Sequence, residues 1–238
     1  GDHYILNGAK QWITNGGEAE IYSIFAMTDK KKGARGASVF IVEKGTPGFS
    51  FGKKENKLGI RASTTSELVF QDCRVPKENL IRREGLGFII ALKVFDYSRP
   101  AIGAQAVGIA QGAFEEAVAF VKERKQFGQP VGMFQGLQFM LADMAVKIEA
   151  SRSLVYAAAR MIDSGAKDFR LESSMAKMYA SDMAMEVTTD AVQLMGGCGY
   201  MKEYPVEKMM RDAKITQIYE GTNQILRYVI AAELLKGI

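Results

Sequence analysis

Residues 100–124 read PAIGAQAVGIAQGAFEEAVAFVKER. Ile102, Ala106, Ile109, Ala113, Val118 and Val121 recur mostly at steps of three or four, the spacing of one helix face. Leu86 to Phe95 opens this helical part, and Pro100 stands where a kink or restart is expected, because proline removes a backbone donor and crowds the preceding turn. The cations of Glu123-Arg124-Lys125 suit a helix C-terminus, and Phe127-Gly128-Gln129-Pro130 breaks the pattern. Helices of similar length follow at about 135–164 and 170–196, parted by Ser164-Gly165-Ala166, and a fourth follows Gly221. Four long amphipathic helices joined by short turns predict an antiparallel four-helix bundle, and small residues such as Ala157-Ala158-Ala159 permit close packing.

Upstream the pattern is that of strands. Two extended runs flank Asn7-Gly8, a strong local signal for a two-residue hairpin. Ile21 to Thr28, Ala37 to Glu43, Phe49 to Gly52 and Ser66 to Phe70 follow, punctuated by Lys30-Lys31-Lys32-Gly33 and Gly45-Thr46-Pro47-Gly48 and closed by Pro76. The fold class expected is α+β and multidomain: a partial β-barrel or sandwich over residues 1–80, then the bundle over residues 81–238. A chain that opens inside a strand, without Met, is expected to be the later part of a longer one.

Bulk properties narrow the function. At 238 residues, 47% hydrophobic and 24% charged, this is globular composition with room for one or two domains. The net charge of +4 is mild and mixed along the chain, and no aromatic-interleaved basic patch argues for nucleic acid. Only Cys73, Cys198 and His3 offer thiol or imidazole ligands, which excludes a His/Cys metal cluster and points weakly to a reducing compartment. No apolar run is long enough to span a membrane, and no signal peptide is visible.

Five stretches carry possible chemistry. Trp12 and Thr14 share a strand face at a strand end, fit to press on a planar heterocycle, although spacing alone favours a core tryptophan. Asp96 and Arg99, three apart, fit a phosphate-bearing or amide-rich ligand, or equally an i,i+3 surface pair. Arg124 ends a helix, where a cation is expected on electrostatic grounds alone. Gln193-Leu194-Met195-Gly196-Gly197-Cys198-Gly199-Tyr200 places three glycines in four residues, more than one helix cap requires. Thr222-Asn223-Gln224 offers backbone N–H groups at a helix start, with Thr222 as the N-cap. Glu220 beside it is either a charge that complements the dipole or a base aimed at a substrate.

Together these stretches resemble the acyl-CoA dehydrogenase family along the whole chain. The specific elements are Trp12-Ile13-Thr14-Asn15-Gly16-Gly17, Arg124-x-x-Phe127-Gly128, Tyr219-Glu220-Gly221-Thr222, and Gln193-x-x-Gly196-Gly197-x-Gly199-Tyr200-x-x-Glu203-x-x-x-x-Lys208-x-x-x-Asp212. The resemblance implies flavoproteins that take two hydrogens from an acyl thioester, with a middle β domain matched by residues 1–80 and a C-terminal bundle matched by 81–238. It assigns Trp12, Ile13 and Thr14 to the flavin ring of FAD. Arg124, Gln135 and Gln193, Leu194, Met195, Gly196 and Gly197 are assigned to the ADP half of FAD, reached in a neighbouring subunit. Thr222, Asn223 and Gln224 match further FAD contacts, and Asp96, Arg99 and Gly221 match contacts to the acyl-CoA substrate.

Glu220 matches the family's catalytic base, which abstracts the α-proton as hydride leaves the β-carbon toward FAD. In some relatives the base stands just before the helix arginine, and here that slot holds Ser98. The resemblance further implies fatty acid metabolism, a homotetramer built as a dimer of dimers, and electron-transferring flavoprotein as electron acceptor. It implies a cytoplasmic or mitochondrial-matrix location. An enoyl-CoA reductase of the same fold, or a non-enzymatic helical scaffold, are the competing readings. The retention of Glu220, Trp12 and Arg99 together argues against the scaffold.

Overall fold

The computed structural model describes residues 1–237, and its first unit, Gly1–Val94, is built from antiparallel strands. Strand β1 (His3–Thr14), β2 (Ile21–Met27), β3 (Ala37–Glu43), β4 (Phe49–Lys54) and β5 (Thr65–Pro76) form a three-stranded sheet in the order β1-β5-β4 and a β2-β3 hairpin. Along β2 the buried Tyr22 and Ile24 alternate with exposed Ile21 and Ser23, the period of a half-buried strand. The two sheets close over one core that includes Leu6, Tyr22, Ile24, Phe40, Phe49, Leu68, Phe70 and Val75. Phe49 and Phe70 stack across the β4-β5 ladder with ring centroids 4.8 Å apart.

The hairpin expected at Asn7-Gly8 does not form. β1 runs straight through these residues because β5 is long enough to pair with both halves, and the ladder slips between Leu6 and Gly8. The Asn7 side chain spans the slip, accepting from the Asp72 N–H at 2.8 Å and donating to the Asp72 carboxylate at 3.0 Å. A second slip lies between Lys10 and Ile13, where Trp12 has a positive φ of 56°. Bulges of this kind re-aim a side chain at a strand end.

The second unit, from Phe95 onward, holds most of α1 (Gly87–Glu123), then α2 (Gln135–Asp163), α3 (Arg170–Met195), α4 (Gly197–Tyr200), α5 (Val206–Ala213) and α6 (Asn223–Leu234). The restart expected at Pro100 is absent, since α1 is continuous through it. Proline removes the bond that the Asp96 carbonyl would accept. The Ser173 hydroxyl of α3 donates to that carbonyl at 2.6 Å instead. The buried stripe of α1 also differs from the expected one. It is lined by Ala106, Val107, Ala110, Ala113, Ala117 and Val121, with Ile102, Ile109 and Val118 half-buried beside it. Small side chains let the helices approach, so that a Cβ at Gly103 would meet Val155 Cγ2 at 2.9 Å.

The bundle runs up and down. Arg152 of α2 reaches Gln111 of α1 at 2.9 Å, and Lys147 pairs with Glu186 of α3 at 2.8 Å. α6 lies antiparallel to α3, with Asn223 against Ser181 and Glu233 against Arg170. The antiparallel bundle forms as expected, but its last helix is short: α6 has 12 residues, and the eight-residue α5 precedes it. Between α1 and α2 the chain makes a miniature hairpin of β6 (Lys125–Gln126) and β7 (Gln129–Pro130). Its two central residues, Phe127 (φ 52°) and Gly128 (φ 80°), are both left-handed, as a type I′ turn requires. Among the described residues, no helix is long and apolar enough to cross a membrane.

The glycine cluster after α3 divides into different roles. Gly196 ends α3 with φ 57° and ψ −134°, a conformation open only to glycine. A Cβ at Gly199 would lie 2.6 Å from the Val192 carbonyl, whereas one at Gly197 would meet nothing within 4 Å. Gly199→Ala is therefore expected to destabilise the helical unit by about 1–3 kcal/mol, and Gly197→Ala to shift it by less than about 1 kcal/mol. Thermal unfolding followed by circular dichroism measures both, and equal losses would contradict the division.

Candidate functional site

The N-terminus of α6 is capped by Thr222, whose hydroxyl accepts from the Ile225 N–H at 3.3 Å. Glu220 therefore has no capping work to do. Its carboxylate instead receives the hydroxyl of Ser98 from α1 in a short hydrogen bond. The backbone at this point is left-handed twice over, with Glu220 at φ 56° and Gly221 at φ 96°. The consecutive carbonyls of the turn point to two cations. Arg99 Nε donates weakly to the Glu220 carbonyl at 3.4 Å, and Lys177 Nζ donates to the Gly221 carbonyl at 2.7 Å.

Both cations are inside the protein. Arg99 is 4% exposed and Lys177 fully buried. The Arg99 guanidinium lies 3.3 Å from the Asp96 carboxylate, 3.3 Å from the Ser174 hydroxyl, and above the Phe95 ring. The Asp96 carboxylate is in turn held by Arg170 at 3.1 Å. The surface-pair reading of Asp96 and Arg99 thus fails: the pair is buried, enclosed between α1 and α3. Burial lowers the Arg99 pKa from its usual value, opposed by the nearby Asp96 and Glu220. Burial, and then the charge of Arg99, bring Lys177 down to about 8, opposed by Asp182 and Glu220.

Lys177 also donates to Asn223 Oδ1 at 2.9 Å. The Asn223 amide nitrogen donates to Ser181 at 2.8 Å and to Asp182 at 2.7 Å. Asp182 receives Gln217 at 2.6 Å and Arg227 at 2.7 Å. Burial pushes the Asp182 carboxyl up, but these hydrogen bonds outweigh it and hold the pKa below its usual value. The Tyr219 hydroxyl, raised by burial, bonds to Gln105 of α1.

The residues singled out from sequence fall into separate groups. Asp96, Arg99, Glu220, Gly221, Thr222 and Asn223 come together around the α6 N-terminus, with Gln224 exposed on the first turn. Arg124, Gln135 and Gln193 to Gly197 lie at helix ends, roughly 28 Å further along α3 at 1.5 Å per residue. Arg124, Gln135, Gln193, Gly196 and Gly197 are exposed there, while Leu194 and Met195 are buried in the bundle core and offer only their main chain to a ligand. The Asn223 side chain is likewise spent on internal partners.

In the β unit, Trp12 is 73% exposed, so the core reading favoured by spacing fails, and its bulge explains why. Thr14 is exposed too, and Ile13 packs on the core between them. Sequence reasoning missed Lys177. The signal was a polar stripe, Ser174, Lys177 and Ser181 at steps of three and four, on a helix otherwise rich in Ala and Met.

The chain matches the family model described as acyl-CoA dehydrogenase, middle domain, over residues 1–73 and that described as acyl-CoA dehydrogenase, C-terminal domain, over residues 85–235. It is 57% identical over 236 residues to a probable acyl-CoA dehydrogenase, FadE25, of Mycobacterium tuberculosis, covering 99% of this chain and 61% of that protein. The solved butyryl-CoA dehydrogenase of Megasphaera elsdenii superposes with a TM-score of 0.97 at 55% identity, covering 98% of this chain and 61% of that one. A chain in a structure described as the electron transferring flavoprotein of Acidaminococcus fermentans matches with a TM-score of 0.97 at 58% identity, covering 99% and 62%. The chain thus spans about three fifths of the length of the relatives it matches.

The lysine gives a pH prediction. Its folded pKa of about 8 lies below the ordinary 10.5, so between these values the unfolded chain binds the extra proton and stability rises with pH. The penalty of the buried ammonium is complete below pH 8 and relieved as pH approaches 10.5. Wild type should gain as much as about 3 kcal/mol relative to Lys177→Met across this window. Urea midpoints of the two proteins at each pH measure the difference, and a difference that stays flat would contradict the buried charge.

Proposed function

The chain belongs to the acyl-CoA dehydrogenase family, and on that premise we propose that it acts as an FAD-dependent dehydrogenase of acyl-CoA thioesters, with Glu220 as the base. The observation that carries the proposal is the Glu220 carboxylate itself. It sits on a left-handed turn, does no capping, and is held from the backbone by two buried cations. Strained backbone at a non-glycine residue is a mark of a functional position.

The residues present fit a flavin. An indole 73% exposed on a bulge and an open, exposed Gly197 are not explained by folding. We assign Trp12, Ile13 and Thr14 to the flavin ring. Arg124, Gln135, Gln193, Gly196 and Gly197 go to the ADP half in a second copy, with the main chain of Leu194 and Met195. Thr222 and Gln224, and the main chain of Asn223, are assigned to FAD, and Arg99 and Gly221 to the acyl-CoA. Asp96 serves by holding Arg99. FAD, when bound, supplies the acceptor for the two electrons released from the substrate.

The work of this chain's own residues is the proton. An α-proton of a thioester is weakly acidic, so its removal needs a carboxylate kept close and stripped of water. A bound acyl chain would exclude water from Glu220. Ser98 donates to one carboxylate oxygen, Oε2, which leaves Oε1 to take the α-proton. The domain division proposed is 1–80 for the middle β domain and 81–238 for the helical domain, in keeping with the two matched segments. We further propose a homotetramer, electron-transferring flavoprotein as acceptor, in keeping with the Acidaminococcus fermentans match, and a cytoplasmic location, in keeping with bacterial relatives.

Glu220→Gln in the FAD-loaded protein should keep flavin and bind acyl-CoA, while flavin bleaching slows by about 10²–10⁴-fold. Bleaching at nearly the wild-type rate would refute the assignment. Trp12→Ala should leave the melting temperature of the FAD-free protein unchanged, since the ring is 73% exposed, and lower FAD content. Full flavin occupancy in that variant would remove Trp12 from the site.

A further inference from the structure

The turn that carries Glu220 does not support itself. A left-handed non-glycine residue costs about 1–2 kcal/mol and persists only where its surroundings over-determine it. Glu220 is such a residue, and Gly221 continues the same turn. The stronger of the two outside holds is Lys177, at 2.7 Å from the Gly221 carbonyl, against 3.4 Å for Arg99 on the Glu220 carbonyl. We propose that Lys177 is a positioning residue for proton abstraction: by holding the Gly221 carbonyl it fixes the turn that aims the Glu220 carboxylate. The inference rests on the reading of Glu220 as the base.

A space-filling role does not account for this lysine. The groups it bonds, a peptide carbonyl and an amide oxygen, are both neutral. A buried ammonium loses several kcal/mol of hydration, and an apolar side chain of similar size avoids that loss. The fold keeps the ammonium all the same, and aims it across from α3 at the peptide unit next to Glu220.

Its own aim is fixed as well. The second partner, Asn223, cannot flip its amide, because its nitrogen is committed to Asp182 at 2.7 Å. Asp182 is committed in turn to Gln217 and Arg227. The chain of contacts from Arg227 to Gly221 thus leaves the Asn223 oxygen facing Lys177. Gln217 and Asn223 flank the turn on either side, so this network holds its two ends while Lys177 holds its middle.

The test compares Lys177→Met, Lys177→Gln and Glu220→Gln in the FAD-loaded protein, by the limiting rate of flavin bleaching and the affinity for acyl-CoA. Lys177→Met should slow bleaching by about 10²-fold, the effect of misplacing a reacting group by about 1 Å, with affinity altered by less than about threefold. Lys177→Gln keeps a shorter donor and should recover part of the rate. Loss of rate and affinity in equal measure, or a Met variant as fast as wild type, overturns the role of Lys177 while an inactive Glu220→Gln leaves the base in place. An active Glu220→Gln defeats the reading of the base itself.

If the Met variant fails to retain flavin, Asn223→Ala carries the test, because it leaves Lys177 present but unaimed. It should slow bleaching at nearly unchanged affinity, and a wild-type rate would overturn the inference.

Discussion

Two buried cations hold two consecutive peptide carbonyls, Arg99 on Glu220 and Lys177 on Gly221, and the geometry of the α6 N-terminus depends on them. Each cation is stationed by its own partners: Arg99 by Asp96 and Ser174, Lys177 by Asn223. Breaking a buried charged contact is expensive because the surviving group is left without compensation. The bundle is thereby wired so that α1, α3 and α6 meet at one turn. Pro100 belongs to the same arrangement. By freeing the Asp96 carbonyl it gives Ser173 a partner, and so ties α1 to α3 beside Arg99.

This wiring explains why a carboxylate stands at a helix N-terminus without serving the helix. Thr222 takes the capping role, and the Glu220 carboxylate accepts from the Ser98 hydroxyl rather than from an α6 N–H. The carboxylate is thus held by one hydroxyl, while the buried Arg99 and Lys177 hold the backbone of its turn. At the C-terminal end of α3 the arrangement is reversed: Gly196 and Gly199 serve the fold, while Gly197 and Gln135 are left exposed with no structural task.

Much of this was legible in the sequence, for local reasons. The three long helices follow from apolar periodicity, the α6 start from Thr222, and the end of α3 from Gly196. What was not legible depends on partners far along the chain. Asn7-Gly8 reads as a hairpin until β5, some 60 residues later, pairs with both sides of it. Trp12 reads as core until a slipped register turns it outward. A lysine reads as surface, and only the fold reveals that Lys177 faces a carbonyl between α3 and α6. The motifs Trp12 to Gly17 and Tyr219 to Thr222 identified the family, but not the cations that hold Glu220 in place.

The central claim is that a base in this site removes a proton from the carbon next to the thioester carbonyl. Its most direct test is the rate of flavin bleaching in the FAD-loaded protein, with acyl-CoA carrying deuterium in place of both α-hydrogens. The account predicts that bleaching at saturating substrate slows severalfold, because the α-C–H bond breaks in the step observed. Identical rates for the light and heavy substrates, with bleaching shown to be limited by chemistry, would contradict it.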